Sequence, residues 1–236
     1  MIPTYPKDCF QYLFENWWLH DDSKSLCRGR LIWAFVPHVD QVPFALKPKG
    51  RTNDREHALA DCEIVPIDIS TPFDKSTLPV AGLICHNGEV RTVYRAKKRP
   101  MLLFALAGKQ VPAAVIKGKP KYQTSATHLA IPYYGGNADG KRAGFKPEFL
   151  NRLKRCEFPQ FSWDILPVGG AEESVLRIDH IQPISTHYKS FEPTEYKLSD
   201  DAMSLIDEWV AWHLSGLLPD DEESYLAFLR KELMSM

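Results

Sequence analysis

Apolar residues along this chain come in short bursts with changing period. Phe10, Leu13, Phe14 and Trp17 recur at i, i+3, i+4 and i+7, which predicts an amphipathic helix over 7–20. Gly29 introduces LIWAFVP (31–37), a β-rich run ended by Pro37. Within 38–70, KPKGRTNDREH reads as a polar loop and EIVPIDI as a short strand. The next run, LPVAGLICHNGEVRTVYRA (78–96), predicts a hairpin, because Asn87-Gly88 suits a turn that needs two positive φ angles. MLLFALAG after Pro100 suits a buried strand, and THLAIPYY (127–134) another that runs into Gly135-Gly136. KPEFLNRLKRC (146–156) fits a helix with Pro147 in its first turn, and WDILPV (163–168) a short strand. Two helices close the pattern. The first spans about 200–215, capped by Ser199, with Met203, Ile206, Val210 and Leu214 on one side. The second spans about 221–234, with Asp220 and Glu223 as its capping box.

SVLRIDHIQPIS (174–185) stands out, because it sets two opposite charges in an apolar run. Written as a strand, it places Leu176, Ile178 and His180 on one face and Val175, Arg177, Asp179 and Ile181 on the other. Arg177 and Asp179 are then side by side, about 7 Å apart at Cα. A cross-strand ion pair on a solvated face explains this as well as a reactive pair does. His180, on the opposite face, reads as a hydrogen-bonded core residue.

Short strands with turns and flanking helices predict a mainly β fold with flanking α, a small, mostly antiparallel barrel or curled sheet. The helix–strand alternation of a doubly wound fold is missing, as are a G-x-G-x-x-G and a P-loop, so nothing supports a nucleotide cofactor. The formal net charge is −1, so any nucleic-acid site has to be a local patch. Basic runs do cluster in the middle of the chain, at 91–100, 117–121, 140–146 and 151–155, against an acidic DDEES at 220–224. The five cysteines are isolated, without a C-x-x-C pair, which argues against a zinc site or a disulfide framework and fits a reducing cytosol. No run approaches the length of a membrane span, and the start lacks the pattern of a signal peptide. A soluble, cytoplasmic protein is expected, with no metal and no cofactor.

Five segments occur in a familiar order. GRLIWAFVP resembles the opening strand of the PemK/Kid and MazF toxin family, and KRPMLLFAL its Arg-Pro-apolar strand. LAIPYYGGNADGKRAGF is similar to the family's passage from a strand into Gly-Gly-Asn and then Ala-Gly-Phe. SVLRIDHIQPIS resembles its V-V-R-x-D-Q strand, and KLSDDAMSLIDEWVAWHLSG its C-terminal helix. The resemblance covers 29–37 and 99–215 as a barrel core within a single domain, 1–236. Residues 38–98 then form an insertion, and 1–28 and 216–236 helical extensions. Tyr133 and Tyr134 stand where the family usually carries Thr-Ser.

The resemblance implies an SH3-like β-barrel, commonly a homodimer held in check by an antitoxin protein. It implies metal-independent cleavage of single-stranded RNA, in which the 2′-hydroxyl attacks the adjacent phosphate to leave a cyclic phosphate and a 5′-hydroxyl. That chemistry needs a base, a proton donor and positive charge on the phosphorane. The family's acid and base positions carry over onto Arg177 and Asp179, its catalytic Arg onto Arg99, and a histidine ahead of the Arg-Pro motif onto His86. An Arg stays protonated below pH ~12, so stabilising the phosphorane suits Arg177 better than donating a proton. His86 reads equally as an ordinary hairpin tip, and Arg99 as an exposed charge at a strand start. Substrate binding falls to Tyr133 or Tyr134, Gly135, Gly136, Asn137, Lys97 and Lys98. The two tyrosines alternate faces, so only one lines a groove. The glycines either offer backbone N–H groups to phosphate or simply turn the chain. A barrel that binds RNA or a protein partner without cleaving remains the alternative.

Overall fold

Eleven strands are laid down in order in the computed structural model, which describes residues 2–51, 53, 55, 56, 59–70, 89–118, 125–137, 144–170, 172–218 and 224–235. They are β1 (Trp18–His20), β2 (Arg30–Pro37), β3 (Phe44–Gly50), β4 (Asp61–Pro66), β5 (Thr92–Val93) and β6 (Ala96–Ala105). Then follow β7 (Thr127–Gly135), β8 (Phe161–Ile165), β9 (Glu173–Arg177), β10 (Gln182–Ser185) and β11 (Phe191–Leu198). The helices are α1 (Ala113–Ile116), α2 (Pro147–Lys154), α3 (Asp200–Ser215) and α4 (Tyr225–Ser235). His86, the Asn87-Gly88 turn and the Asp220/Glu223 capping box lie outside the described residues.

The chain divides into two compact units, one of Met1–Phe35 with Lys98–Met236 and one of Val36–Lys97. In the second unit, β3 pairs antiparallel with both β4 and β5. The first unit is built on a sheet ordered β1-β11-β2-β6-β7-β9-β8, with β10 also on β7. Among the described residues no ladder joins β1 to β8, so the strands are shown as a mainly antiparallel sheet and not as a closed barrel. β7 positions the site. It pairs with β6 along Leu129–Pro132, with β10 along Thr127–Ala130 and with β9 along Tyr133–Gly135. β9 and β10 thus follow one another along the same edge, and the 3-10 turn Ile178–His180 between them packs against β7.

That turn corrects the reading of 174–185 as one strand. Strand alternation stops at Arg177: the Ile178 amide still bonds in register to the Gln160 carbonyl, and there the 3-10 turn begins. The helix expected over 7–20 is also absent: a 3-10 turn, Phe10–Leu13, leads into β1. Most of its pattern is nonetheless interior, with Phe10, Trp17 and Trp18 in the main core beside Leu31, Leu102, Ile131, Tyr133, Leu176 and Trp209, whereas Leu13 is exposed. A second apolar cluster joins Cys9, Leu150, Leu153, Trp163 and Val175.

The two helices framing the core form where their ends are satisfied. Pro147 lies in the first turn of α2, where its missing N–H costs nothing. Ser199 caps α3 by accepting the Ala202 amide at 3.2 Å. Gly216 ends α3 at φ +70, a conformation that favours glycine, and its amide bonds back to Trp212. α3 buries Ala202, Met203, Leu205, Ile206, Trp209, Val210 and Trp212, whereas Leu214, expected on that face, is 76% exposed.

Candidate functional site

Four neighbouring strands and one turn assemble the site. On β9, Arg177 lies opposite Phe161 of β8, and its guanidinium sits 4.9 Å from the Phe161 ring centre. Two residues on, within the turn, Asp179 receives both prongs of that guanidinium. Nε donates to Oδ1 at 2.8 Å and an Nη to Oδ2 at 2.6 Å. Such a parallel fork is the strongest form of this ion pair. The pair keeps a route to solvent, the two side chains being 22% and 26% exposed.

The β6–β7 register sets Met101 opposite Pro132, so extending the ladder by two residues puts Arg99 beside Tyr134. The Arg99 guanidinium lies 4.3 Å from the Tyr134 ring centre, and that of Arg177 lies 5.6 Å from it. One aromatic ring therefore gathers two cations, an arrangement favoured by its negative faces.

His180 completes the group. Its Nε2 is 2.8 Å from the same Nη of Arg177, and its Nδ1 is 2.8 Å from the Tyr134 hydroxyl. Sequence reasoning assigned His180 to the core on strand alternation, and the turn at Ile178 is what rotates it into the site. The signal that would have found it is its position directly after Asp179. Phe161 was missed as well, since only cross-strand register brings it under Arg177.

The electrostatics follow from this packing. Partial burial pushes the Asp179 carboxyl up, but the hydrogen bonds and the charge of Arg177 outweigh it and hold the group below its ordinary 3.8. The arrangement presents two guanidiniums, a clamped carboxylate, an imidazole and a phenol within one cluster. It is equipped to meet a phosphate and to move a proton.

The remaining expected site residues are placed differently. Tyr133 is buried and donates to Asp164, so Tyr134 is the tyrosine that meets the cluster. Gly135 sits in the ladder opposite Ser174. The Gly136 amide is taken by the Glu173 carbonyl at 2.7 Å and so closes strand pairing instead of facing a ligand. Asn137 is exposed. Lys98 pairs with Glu192 at 2.8 Å and lies 5.8 Å from the Trp33 ring centre. Lys97 falls in the second unit.

Asp164, on β8, is a polar centre that the sequence reading passed over. It is fully buried, and its two oxygens accept Tyr5 Oη at 2.6 Å, Tyr133 Oη at 3.0 Å, Trp17 Nε1 at 3.2 Å and Trp18 Nε1 at 3.3 Å. Burial raises its pKa to about 6 against the lowering effect of those four donors. The signal was a lone acid inside the apolar run FSWDIL. Among the described residues His20, Asp22 and Glu195 come close enough to share a cation, but they are largely exposed and Lys24 already holds Glu195 at 2.9 Å. No helix of the described residues is long and apolar enough to cross a membrane. No family model, curated protein or solved structure matches this chain.

Proposed function

We propose that this chain is a metal-independent endoribonuclease of the toxin–antitoxin kind, cleaving single-stranded RNA by attack of a 2′-hydroxyl on the adjacent phosphate. The observation that carries the reading is the solvent-reachable Arg177–Asp179 fork, with Arg99 on the same Tyr134 ring. In this reading Arg177 stabilises the charge that develops on the phosphorane, Arg99 holds the phosphate, and the Tyr134 ring offers a face to a base. Asp179 orients Arg177 and is the base that the PemK/MazF resemblance supplies. The same resemblance supports an SH3-like barrel curvature for the sheet, a homodimer, a cytoplasmic setting and an antitoxin protein that covers the site.

A second reading has its own support. A carboxylate clamped by both prongs of an arginine is a poor base, which favours a module that binds RNA or a protein partner and leaves the chain intact. Incubating the full chain with a defined single-stranded RNA in EDTA separates the two. Cleavage leaving cyclic phosphate ends, lost on Asp179→Asn, is the result expected of the nuclease. Salt-sensitive binding without cleavage would establish the module instead.

A further inference from the structure

We infer that His180, and not Asp179, exchanges the proton in this site: Nε2 takes it from a ribose 2′-hydroxyl, while Nδ1 passes one through Tyr134 to the leaving 5′-oxygen. The inference rests on the ribonuclease reading but replaces the base that the resemblance supplies, leaving Asp179 to orient Arg177 and assigning the atoms that carry the proton.

The hydrogen bonds fix the tautomer. A guanidinium only donates, so the nitrogen 2.8 Å from Arg177, Nε2, has to offer its lone pair. A neutral imidazole carries one proton, which therefore sits on Nδ1 and is donated to the Tyr134 oxygen at 2.8 Å. With its oxygen accepting from His180, Tyr134 directs its own hydroxyl proton away from the imidazole. Base and acid thus lie at opposite ends of one hydrogen-bonded line, as an in-line displacement requires.

Asp179 is poorly suited to the task. Each of its oxygens already takes an Arg177 N–H, and the carboxyl is held below its ordinary value. His180 needs only to release the Arg177 N–H at its Nε2. An incoming phosphate competes for that same N–H with a full negative charge. Among the described residues, those facing His180 include Arg177 and Asp179 on its own segment, Tyr134 on β7 and Arg99 on the Tyr134 ring from β6, while β8 adds the Phe161 ring beside Arg177.

The step balances. The 2′-O–H bond breaks, its proton goes to Nε2, and the oxygen bonds to phosphorus. The P–O5′ bond breaks, and the 5′-oxygen takes the Tyr134 hydroxyl proton as Tyr134 takes the one on Nδ1. His180 ends as its other neutral tautomer and returns by exchange with water. The products are a cyclic phosphate and a 5′-hydroxyl.

The test uses the full-length protein with imidazole nitrogens labelled, and cleavage of single-stranded RNA in EDTA. Nitrogen NMR is expected to show His180 protonated at Nδ1 in the resting enzyme. His180→Gln and Tyr134→Phe should each slow cleavage by about 10²–10⁴-fold, the range for a lost acid–base group. The wild-type pH profile should have an acid limb that is missing from His180→Gln. A substrate with sulfur in place of the 5′-oxygen needs no acid, so it should restore Tyr134→Phe to near the wild-type rate but leave His180→Gln slow. A merely packing role for Tyr134 would show no such rescue. An Nε2-protonated imidazole, or full activity of His180→Gln in a protein whose wild type cleaves, would overturn the relay and leave the nuclease reading standing. If the wild type leaves RNA intact, both fall.

Discussion

Asp164 is the single side chain on which most of the buried polar structure turns. Two indoles and two phenols point at one carboxylate, and with four donors on two oxygens its accepting capacity is filled. Three of those donors, Tyr5, Trp17 and Trp18, come from the N-terminal segment, so the carboxylate ties residues 5–18 to β8. Its raised pKa sets the sign of a pH effect. The folded protein holds the proton up to about 6, whereas the ordinary value is 3.8. Between these values the folded state binds more protons than the unfolded one, and stability from this group falls as pH rises through that window, by roughly 3 kcal/mol at full effect. Asp21, Asp179, Glu192 and Glu195 are held low and act the other way, losing their contribution as pH falls. Subtracting a variant isolates the term. Asp164→Asn is expected to destabilise at every pH, and by more at pH 4 than at pH 7, in denaturant titrations. An unchanged gap across the window would mean that burial does not raise this carboxyl.

At the level of elements, the close approach of β7 and β9 holds the site in register. The Gly136 amide bonds to the Glu173 carbonyl, and a Cβ at Gly136 would meet that oxygen at 3.0 Å and its carbon at 3.2 Å. Backbone atoms have little room to yield. Gly136→Ala is therefore expected to cost about 1–3 kcal/mol, as overpacking does, and to lower the denaturant midpoint. A neutral result would show that the two strands separate freely there. This contact was not legible in the sequence, where Gly135-Gly136 read equally as a turn or a phosphate cradle. Strands with clean local signals were legible: LIWAFVP and THLAIPYY form strands close to their expected bounds, WDILPV gives only its first half to β8, and Ser199 caps its helix. The failures share a physical cause. Phe10, Leu13, Phe14 and Trp17 have helical spacing, but long-range bonds such as those from Trp17 and Trp18 to Asp164 hold the segment in another shape. Likewise period-two spacing carried Arg177, Asp179 and His180 along one strand, although a turn intervenes at Ile178. The pairing of Arg177 with Asp179 was readable, because a separation of two residues brings them together in either conformation. The partnership of His180 with Tyr134 depends on the turn and was not.

For the molecule as a whole, net charge gives no drive toward RNA, since the formal value is −1. Attraction then has to be local, and the number of phosphates met fixes how steeply salt weakens it. For single strands each neutralised phosphate contributes a slope of about −0.7 in log K against log salt. If Arg99 and Arg177 each meet one, the slope is about −1.4, shallow beside that of a protein lined with basic loops. Lys98 is a control of the same charge, because Glu192 already neutralises it in the folded protein. Binding of a labelled RNA bearing 2′-O-methyl groups, which removes the nucleophile, is to be measured across a range of potassium chloride. Arg99→Ala should flatten the slope by about 0.7, whereas Lys98→Ala should leave it nearly unchanged. A steep slope indifferent to Arg99 would move binding to the basic runs elsewhere in the chain. The cluster on Tyr134 would then have no part in recognising phosphate, whatever proton chemistry its geometry permits.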